Sequence, residues 1–352
     1  FYGGVSHGVE KRSKVRSRIV ADQLVKLIKE ADHVVIMGHR MSDLDAIGSA
    51  EGVLRICKIC DVPAVIAVKR DATLAGSLID ALCRAGQRDD FIDPKEALPI
   101  ISKQTLCVVV DTYQVGLVES KEILEKCGKV AVIDHHRKGV GYIENPALVC
   151  HEPYSSSASE LVTELLQYVG DRDDKPNRVE AEGLLSGIML DTQDFTLHTG
   201  VRTFEAAAAL RRYGAETERV RQLFDVTMTE YNAKADLVEK AQMYKNCAIS
   251  VGGEIAPEAR VAIAQAANDL LRIQGVDASF VAVQVGGGVN ISARSLGAVN
   301  VQVIMESLGG GGHQTMAAAQ LKHITPEAAR SRIETAIDNY WASQKKSSAA
   351  EK

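Results

Sequence analysis

The sequence predicts an α/β fold in which a parallel sheet with helices on both faces is followed by a smaller α/β domain. Three short β-branched runs, VVIM, LCVVV and VAVID, are typical of buried strands and alternate with segments of helical periodicity. That alternation favours a parallel sheet covered by its crossover helices. A chain of 352 residues is long for one domain, so we expect two, each large enough to bury a core.

The composition is that of an ordinary globular protein, with 46% hydrophobic and 25% charged residues. A net charge of -5 argues against an extended basic surface for long nucleic acid. The seven cysteines are odd in number and scattered, which indicates a reducing compartment, and we interpret the CxxC of Cys57 and Cys60 as core thiols. No apolar run is long enough to span a bilayer, so we expect no membrane contact within these residues. Because the chain begins at Phe1 rather than Met, we expect it to be a fragment.

The first part of the chain alternates helical and strand patterns in a regular order. We expect a helix over 17–31, a strand over 34–37, a helix from Asp45, a strand over 64–69, a helix over 75–85, a strand over 106–111, a helix over 119–127 and a strand from Val130. Gly38 gives the first strand a tight exit.

After Cys150 the pattern is helical, and it changes to strands near residue 246. We expect helices over 155–169 and 178–190, three more within 201–245, strands at CAISV and RVAIAQ, and a hairpin that turns at Gly286–Gly288. A further helix runs into glycines 309–312, and a strand follows. The terminal helix over 325–343 precedes a polar tail that we expect to be disordered.

Polar residues stand where several of these elements end. They are His39, Asp43 and Asp45 after the first strand, Asp111 at the end of LCVVVD, Asp134, His135 and His136 at the end of VAVID, and Asp191 after the helix of 178–190. The carboxyl ends of parallel strands share one edge of a sheet, where ligands usually bind. A helix N-cap accounts for Ser42 or Asp43, but not for a histidine and two carboxylates within seven residues. We therefore expect six of these side chains to meet, namely those of His39, Asp43, Asp45, Asp111, His135 and Asp191.

Four carboxylates in one place repel each other unless protons or cations neutralise them. Four negative charges balance two divalent ions, and oxygen ligands with two imidazoles suit Mn²⁺, or Mg²⁺, Fe²⁺ or Co²⁺, better than thiolate-seeking metals. Two such ions that share a carboxylate can hold a hydroxide and stabilise an in-line displacement at phosphorus. The pattern therefore predicts hydrolysis of a phosphoester or phosphoanhydride.

Five motifs, HRMSDLD, VVVDT, VIDHHR, MLDT and GGGGHQTMAA, resemble the DHH–DHHA1 phosphoesterase family in content and order. The stretches YSSSASELVTELL and SARSLGAVNVQVIMESLGGGGH are most similar to its GdpP-type cyclic di-AMP phosphodiesterases. The resemblance implies a parallel-sheet DHH catalytic domain over 17–225 after a linker over 1–16. A helical linker over 226–245 would join it to a smaller α/β DHHA1 substrate-binding domain over 246–345, before a disordered tail over 346–352.

The resemblance also implies a role for each site residue. The first metal ion would be bound by His39, Asp43 and Asp111, and the second by Asp45, Asp111, His135 and Asp191. His136 would face the substrate phosphate or the leaving oxygen, and Asp134 would orient the histidine pair. The substrate-binding residues would be Arg294, Ser295, Gly310, Gly311, Gly312 and His313. The chain departs from the family pattern at Met41–Ser42, where relatives often have Asn-Pro, and at Tyr113, where many have His.

The function implied by the resemblance is hydrolysis of cyclic di-AMP to linear pApA by attack of a metal-bound hydroxide, with two divalent ions, Mn²⁺ first among them. The partners would be cyclic di-AMP or a short linear dinucleotide, and a second copy of the chain in a homodimer. The implied location is the cytoplasmic domain of a membrane-anchored bacterial protein.

Four other functions remain open. Two of them lie within the family. One is hydrolysis of short oligoribonucleotides (nanoRNA) or pAp, and the other is a RecJ-like exonuclease activity, which the lack of a basic composition disfavours. An inorganic pyrophosphatase of the superfamily would share the metal ligands but lack the GGGH motif. A non-catalytic nucleotide sensor would have no need for a carboxylate cluster.

Overall fold

The computed structural model describes residues 6–136, 141–255, 261–312 and 314–350. The chain divides into two compact units, Phe1–Asp225 and Val226–Lys352. No helix among the described residues has both the length and the apolar character needed to cross a membrane. All seven cysteines are free thiols.

The first unit contains nine helices and six strands among its described residues. The helices are α1 Ser6–Glu30, α2 Leu44–Ile59, α3 Gly76–Arg84, α4 Pro94–Ala97, α5 Lys121–Lys126, α6 Ala158–Leu166, α7 Arg178–Asp191, α8 Val201–Arg212 and α9 Thr217–Gln222. The strands are β1 Val34–Met37, β2 Ala64–Ala67, β3 Phe91–Ile92, β4 Leu106–Val110, β5 Lys129–Asp134 and β6 Leu148–His151. Short 3₁₀ turns cover Arg88–Asp90, Leu98–Ile100 and Arg172–Asp174.

The strands form one parallel sheet in the order β3-β2-β1-β4-β5-β6. Because side chains alternate along a strand, Val34 and Ile36 pack into the larger core, which holds α1, α2, α6 and α7, while Val35 and Met37 pack on the opposite face with α4 and α5. The predicted parallel sheet with helices on both faces is thereby confirmed.

Close packing of α2 brings the carboxyl ends of the central strands and the start of this helix together. A Cβ on Gly38, directly after β1, would lie 2.9 Å from the Cβ of Ala46. A Cβ on Gly48 would lie 2.4 Å from the carbonyl oxygen of Gly183 on α7. Glycine at these positions therefore lets α2 approach both β1 and α7 more closely than any side chain would allow.

The second unit contains helices α10 Met228–Glu239, α11 Val261–Leu270, α12 Val301–Ser307 and α13 Pro326–Ala350. Its strands are β7 Gln242–Tyr244, β8 Cys247–Glu254, β9 Ala278–Val285, β10 Gly288–Ser295, β11 Gly311–Gly312 and β12 Met316–Lys322. They form a second sheet in the order β11-β12-β10-β9-β8-β7, in which only β8 and β9 are parallel among the described pairs. Helices α12 and α13 cover one face, and α10 and α11 cover the other. The predicted hairpin at Gly286–Gly288 is confirmed, since β9 and β10 are joined there.

One predicted strand is wrong. The run RVAIAQ lies in α11 from Val261 onward, while Arg260 lies outside the described residues. The buried positions are Ala262, Ile263, Ala266, Ala267 and Leu270, which recur at helical spacing. The four apolar residues of this run are too few to distinguish a helix from a strand, and the helical spacing becomes clear only from the buried residues that follow, Ala266, Ala267 and Leu270.

The helices at the two ends of the chain are longer than predicted. Helix α1 already begins at Ser6, within the predicted linker, and α13 continues to Ala350, within the tail predicted to be disordered. Polar residues with good helix propensity extend a helix that tertiary packing has already nucleated. Strand β7, within the predicted helical linker, pairs with β8 and so belongs to the second sheet. The finer domain bounds stay a prediction.

Candidate metal centre

His39 and Asp43 follow β1 and lie beside Asp111. The Nε2 atom of His39 is 3.8 Å from Asp43 Oδ1 and 3.4 Å from Asp111 Oδ2. Its Nδ1 lies 2.9 Å from the carbonyl oxygen of Arg40, which can only accept, so Nδ1 donates and Nε2 faces the carboxylates. Burial works to lower the pKa of His39, but hydrogen bonding with Asp111 and Asp43 outweighs it and raises the pKa to about 11. The two carboxylates thus stabilise the protonated, positively charged form of the His39 imidazole.

Asp43 also caps helix α2. Its Oδ1 accepts hydrogen bonds from the backbone N–H groups of Asp45, at 3.0 Å, and Ala46, at 3.1 Å. The alternative interpretation of Asp43 as a helix N-cap is therefore correct. It does not exclude a second role, because the same carboxylate lies beside His39.

Asp111 lies between the two halves of the cluster. It follows β4 with φ +57°, a left-handed conformation that Asp tolerates better than most residues, and its N–H donates to the carbonyl of Ile133 at 2.9 Å. Its Oδ2 faces His39, and its Oδ1 is 3.4 Å from His135 Nε2. Burial alone would raise the pKa of Asp111, but hydrogen bonds with His135 and His39 hold it below its usual value. Asp111 is thus placed to serve two neighbouring sites.

Asp45 is fully buried and is held by the start of α6. Its two carboxylate oxygens accept from the backbone N–H groups of Ala158 and Ser159, each at 2.8 Å. These are the first two amides of α6, where the helix dipole favours negative charge. Burial, followed by the charges of Asp111 and Asp191, raises the pKa of Asp45. A cation at this point would relieve that repulsion.

His135 brings the remaining carboxylate into the cluster. Its Nε2 lies 3.0 Å from Oδ2 of Asp191, the last residue of α7, and 3.9 Å from Asp45 Oδ2. Burial works to lower the pKa of His135, but hydrogen bonding with Asp111 and Asp191 raises it overall. The structure thus brings all six sequence-predicted ligand residues together at one edge of the parallel sheet.

The donor set fits metal ions. Three groups offer ligand atoms that all lie within 4.8 Å of one another, namely His39, Asp43 and Asp111; Asp45, Asp111, His135 and Asp191; and Asp111, His135 and His136. Two buried atoms of the shared residues, Asp111 Oδ1 and His135 Nε2, face each other at 3.4 Å, but neither makes a hydrogen bond of good geometry in the described structure. Buried polar atoms without a partner are costly, and divalent cations would supply partners for both.

Asp134 and His136 form a pair beside this cluster. Asp134 is fully buried, and its Oδ1 accepts from Nδ1 of His136 at 2.8 Å. Burial works to lower the pKa of His136, but the hydrogen bond with Asp134 raises it overall. The His136 side chain is 37% exposed, so its ring lies at the surface of the site.

A glycine that the sequence analysis did not single out is packed against the cluster. A Cβ on Gly187 of α7 would lie 2.6 Å from Asp45 Oδ1 and 2.3 Å from Ser159 Oγ. Sequence alone gives no signal for this contact, because it depends on the approach of α7 to α2 and α6.

In the second unit, Arg294 and Ser295 lie at the end of β10. Arg294 Nη1 donates to Ser292 Oγ at 3.0 Å and to the carbonyl of Ala293 at 2.9 Å, while its buried Nε has no partner in the described structure. Burial lowers the pKa of Arg294. Ser295 is 2% exposed, and its Oγ accepts from the N–H of Gly297 at 2.9 Å, so this hydroxyl is used in a local turn.

The glycine run has structural reasons of its own. Gly309 has φ +80° and follows the end of α12, as the helix-cap interpretation predicts. A Cβ on Gly310 would lie 2.1 Å from the carbonyl oxygen of Ala318, and one on Gly312 would lie 2.4 Å from Ala317 Cα. Gly311 has open space around its Cβ position. His313 lies outside the described residues.

Comparisons with known proteins agree with this arrangement. Residues 33–188 match the model of the DHH family, N-terminal domain, and residues 256–342 match the DHHA1 domain. The chain is 45% identical to cyclic-di-AMP phosphodiesterase GdpP of Geobacillus thermodenitrificans and 42% identical to cyclic-di-AMP phosphodiesterase PdeA of Listeria monocytogenes. Each alignment covers 97% of this chain. The chain spans 52% of the length of each of these relatives.

A solved structure shares the fold over most of its length. The exopolyphosphatase-related protein from Bacteroides fragilis superimposes with a TM-score of 0.78 at 21% identity, covering 92% of this chain and 96% of that one. The DHH match contains five of the six candidate metal ligands. The sixth, Asp191, lies three residues beyond the end of the match. With the DHHA1 match following in the second unit, the chain belongs to the DHH–DHHA1 family.

Proposed function

We propose that this chain hydrolyses cyclic di-AMP to linear pApA at the carboxylate–histidine cluster of the first unit. The observation that carries the proposal is the position of Asp111, whose two oxygens face His39 on one side and His135 on the other. Cyclic di-AMP is the substrate named for two relatives that match 97% of the chain.

The cluster is proposed to hold two divalent cations, with Mn²⁺ preferred because the donors are carboxylates and imidazoles. One cation would be held by His39, Asp43 and Asp111, and the other by Asp45, Asp111, His135 and Asp191. When bound, such ions supply Lewis-acid activation of a phosphate and of the attacking water.

His136 and Asp134 are proposed to handle the proton. Water adds to phosphorus, the bond from phosphorus to the 3′-oxygen breaks, and one proton of the water ends on that oxygen. The Asp134 carboxylate accepts from Nδ1 of His136, which fixes the tautomer and raises the basicity of the ring. Nε2 of His136 would then pass the proton to the leaving oxygen.

Substrate binding is proposed to involve Arg294, Ser295, Gly310, Gly311, Gly312 and His313 in the second unit. The partly buried Arg294 guanidinium has an Nε–H without a partner in the described structure, and a phosphate oxygen would satisfy it. Gly311 has room for a ligand beside its backbone, whereas Gly310 and Gly312 are packed against β12. Of the glycines, Gly311 is therefore the one best placed to contact substrate.

The substrate is tested by measuring turnover of cyclic di-AMP, linear pApA, pAp and pyrophosphate with Mn²⁺. We expect cyclic di-AMP to be hydrolysed with the highest kcat/KM and to yield pApA. Arg294→Ala should raise KM without changing Mn²⁺ affinity, measured by calorimetry. Faster hydrolysis of pAp or pyrophosphate would overturn the proposed substrate.

Two wider features belong to the same proposal. The chain would be the cytoplasmic catalytic part of a membrane-anchored bacterial protein, and it would act as a homodimer. Sedimentation velocity of the chain tests the second feature, and fractionation of cells that express the complete protein tests the first.

A further inference from the structure

The end of β6 carries an imidazole that contacts the turn holding the histidine pair. His151 is the last residue of β6 and pairs in register with Asp134 of β5. Its Nε2 lies 2.5 Å from the carbonyl oxygen of His136. Because a carbonyl can only accept, His151 donates this hydrogen bond. A side chain from the edge strand is thus tied to the backbone of His136.

His151 is itself fixed by its neighbours. The ring of Tyr113, two residues after Asp111, meets it edge-on with centroids 5.6 Å apart and an interplanar angle of 80°. The next residue, Glu152, donates its N–H to the carbonyl of Asp134 at 3.1 Å, and its carboxylate accepts from Arg202 of α8 at 2.6 Å. His151 therefore links the turn after β4 to the turn after β5, and its neighbour Glu152 ties the same strand end to helix α8.

The contact matters because His136 is the most exposed histidine of the cluster. Its side chain is 37% exposed, compared with 23% for His39 and 14% for His135. Asp134 holds its ring at Nδ1, and His151 holds its carbonyl. Together, the hydrogen bonds at the ring and at the carbonyl fix the direction of the His136 side chain. The hydrogen bond at the ring alone would leave the His136 backbone able to shift.

We propose that His151 is a positioning residue, which fixes the backbone of His136 and so the direction in which His136 presents its ring to the substrate. The inference rests on the proposed phosphodiesterase function. It assigns a role in catalysis to a residue of the edge strand that is not among the candidate ligands.

The test compares His151→Phe with His151→Gln. Phenylalanine keeps a ring against Tyr113 but cannot donate, while glutamine loses the ring and keeps an N–H donor of similar reach. We expect His151→Phe to lower kcat by about 10- to 100-fold with little change in KM, since a small misplacement of a reacting group costs about that much. His151→Gln should stay within about 3-fold of the wild type. Mn²⁺ affinity, measured by calorimetry, should be unchanged in both variants.

His33→Phe is the matched control. His33 precedes β1, at the opposite edge of the sheet, and its buried Nε2 has no hydrogen-bond partner in the described structure, so the exchange breaks no bond. We expect its kcat and KM to equal those of the wild type.

Three results would overturn the inference: full activity in His151→Phe, an equal loss of kcat in both His151 variants, or weaker Mn²⁺ binding in both. If His151→Phe fails to fold, the inference would be overturned by a folded His151→Gln variant whose kcat is more than 10-fold below that of the wild type. Failure of the proposed substrate is a separate outcome, because the variants can be compared on whichever substrate of the panel the protein hydrolyses. An NMR signal from a slowly exchanging imidazole proton, lost in His151→Gln, would support the contact without any turnover.

Discussion

Helices α2 and α7 carry two clusters of buried and partly buried carboxylates, and the two clusters are neutralised in different ways. Asp45 and Asp191 belong to the candidate metal centre. Glu51, farther along α2, and Glu180, near the start of α7, form a second cluster in which both side chains are fully buried. The pair of helices therefore offers a comparison between two solutions to the same electrostatic problem.

The second cluster is neutralised by groups of the chain itself. The Arg55 guanidinium makes a two-pronged contact with Glu180, with its Nε 2.8 Å from the carboxylate. Gln87 donates to both Glu51 and Glu180 at 2.7 Å. Burial, and then the charge of Glu180, raises the pKa of Glu51 to about 8. One guanidinium and one proton thus balance two carboxylates.

In the described parts of the chain, no arginine or lysine forms an ion pair with a carboxylate of the metal centre. Among the described residues, the ion pairs of Asp45, Asp111 and Asp191 all involve histidines. The difference indicates what each cluster is for. The partly exposed Arg55 neutralises a structural network, whereas carboxylates that pair only with histidines form a site that an external cation can complete.

The largest expected effect comes from Asp111→Asn, which keeps the shape of the side chain and removes the shared charge. Because both proposed cation sites use Asp111, we expect turnover of cyclic di-AMP to fall by about 10³-fold or more. Mn²⁺ at 100 times its Kd should stabilise the wild type by about 2.7 kcal/mol, and this gain should disappear in the variant. Thermal unfolding with Mn²⁺ and with a chelator measures it.

Asp61→Asn is the matched control for that variant. Asp61 also has a left-handed backbone, with φ +56° against +57° for Asp111, but it is exposed and lies at the end of α2. We expect neither turnover nor Mn²⁺ stabilisation to change. An Asp111→Asn protein that still gains stability from Mn²⁺ would contradict the shared role of this carboxylate.

Much of this edge of the sheet could be predicted from sequence, because its strands carry their signal locally. Strands β1, β4 and β5 are near-continuous β-branched runs, and parallel strands place their carboxyl ends together whatever the details of packing. His39, Asp111 and His135 follow from that rule alone. Asp191 ends a helix and is a weak signal alone, so its place in the cluster was predicted only as the fourth carboxylate of a site that the strand ends already indicated.

The rest could not be predicted, since it depends on contacts between distant segments. Strand β3 has two residues, and β6 has four of which only Val149 is β-branched, so neither gives a clear strand signal and His151 was not recognised at a strand end. The hydrogen bond from the first amide of α6 to Asp45 joins residues that are 113 positions apart in the sequence. A helix end and close packing against β12 give Gly309, Gly310 and Gly312 structural roles, while the part of Gly310 and Gly312 in substrate binding stays a prediction.

A smaller effect is expected from Gly187→Ala, which tests whether packing sets the position of Asp45. The added methyl would lie 2.6 Å from Asp45 Oδ1, so either α7 or the carboxylate must move. We expect a loss of about 1–3 kcal/mol in the free energy of unfolding, as overpacking typically costs, together with weaker Mn²⁺ binding. Urea unfolding and calorimetry measure the two effects.

Gly76→Ala serves as its control, since Gly76 begins α3 and has open space where a Cβ would lie. We expect that variant to be neutral or slightly stabilising and to bind Mn²⁺ normally. Normal Mn²⁺ affinity in Gly187→Ala would show that Asp45 does not depend on this glycine.

The smallest effect concerns the second cluster and its proton. Folding raises the pKa of Glu51 from 4.5 to about 8, so between these values the folded protein binds more protons than the unfolded chain. The free energy of unfolding should therefore fall as pH rises through that window, by at most about 1.4 kcal/mol per pH unit from this group. Glu51→Gln mimics the protonated acid, and we expect it to flatten the pH dependence between pH 6 and 7, measured by urea unfolding. The exposed Glu125→Gln should leave the slope as it is in the wild type. An unchanged slope in Glu51→Gln would mean that Arg55 neutralises both carboxylates without a proton, and the second cluster would then differ from the metal centre only in the source of its cation.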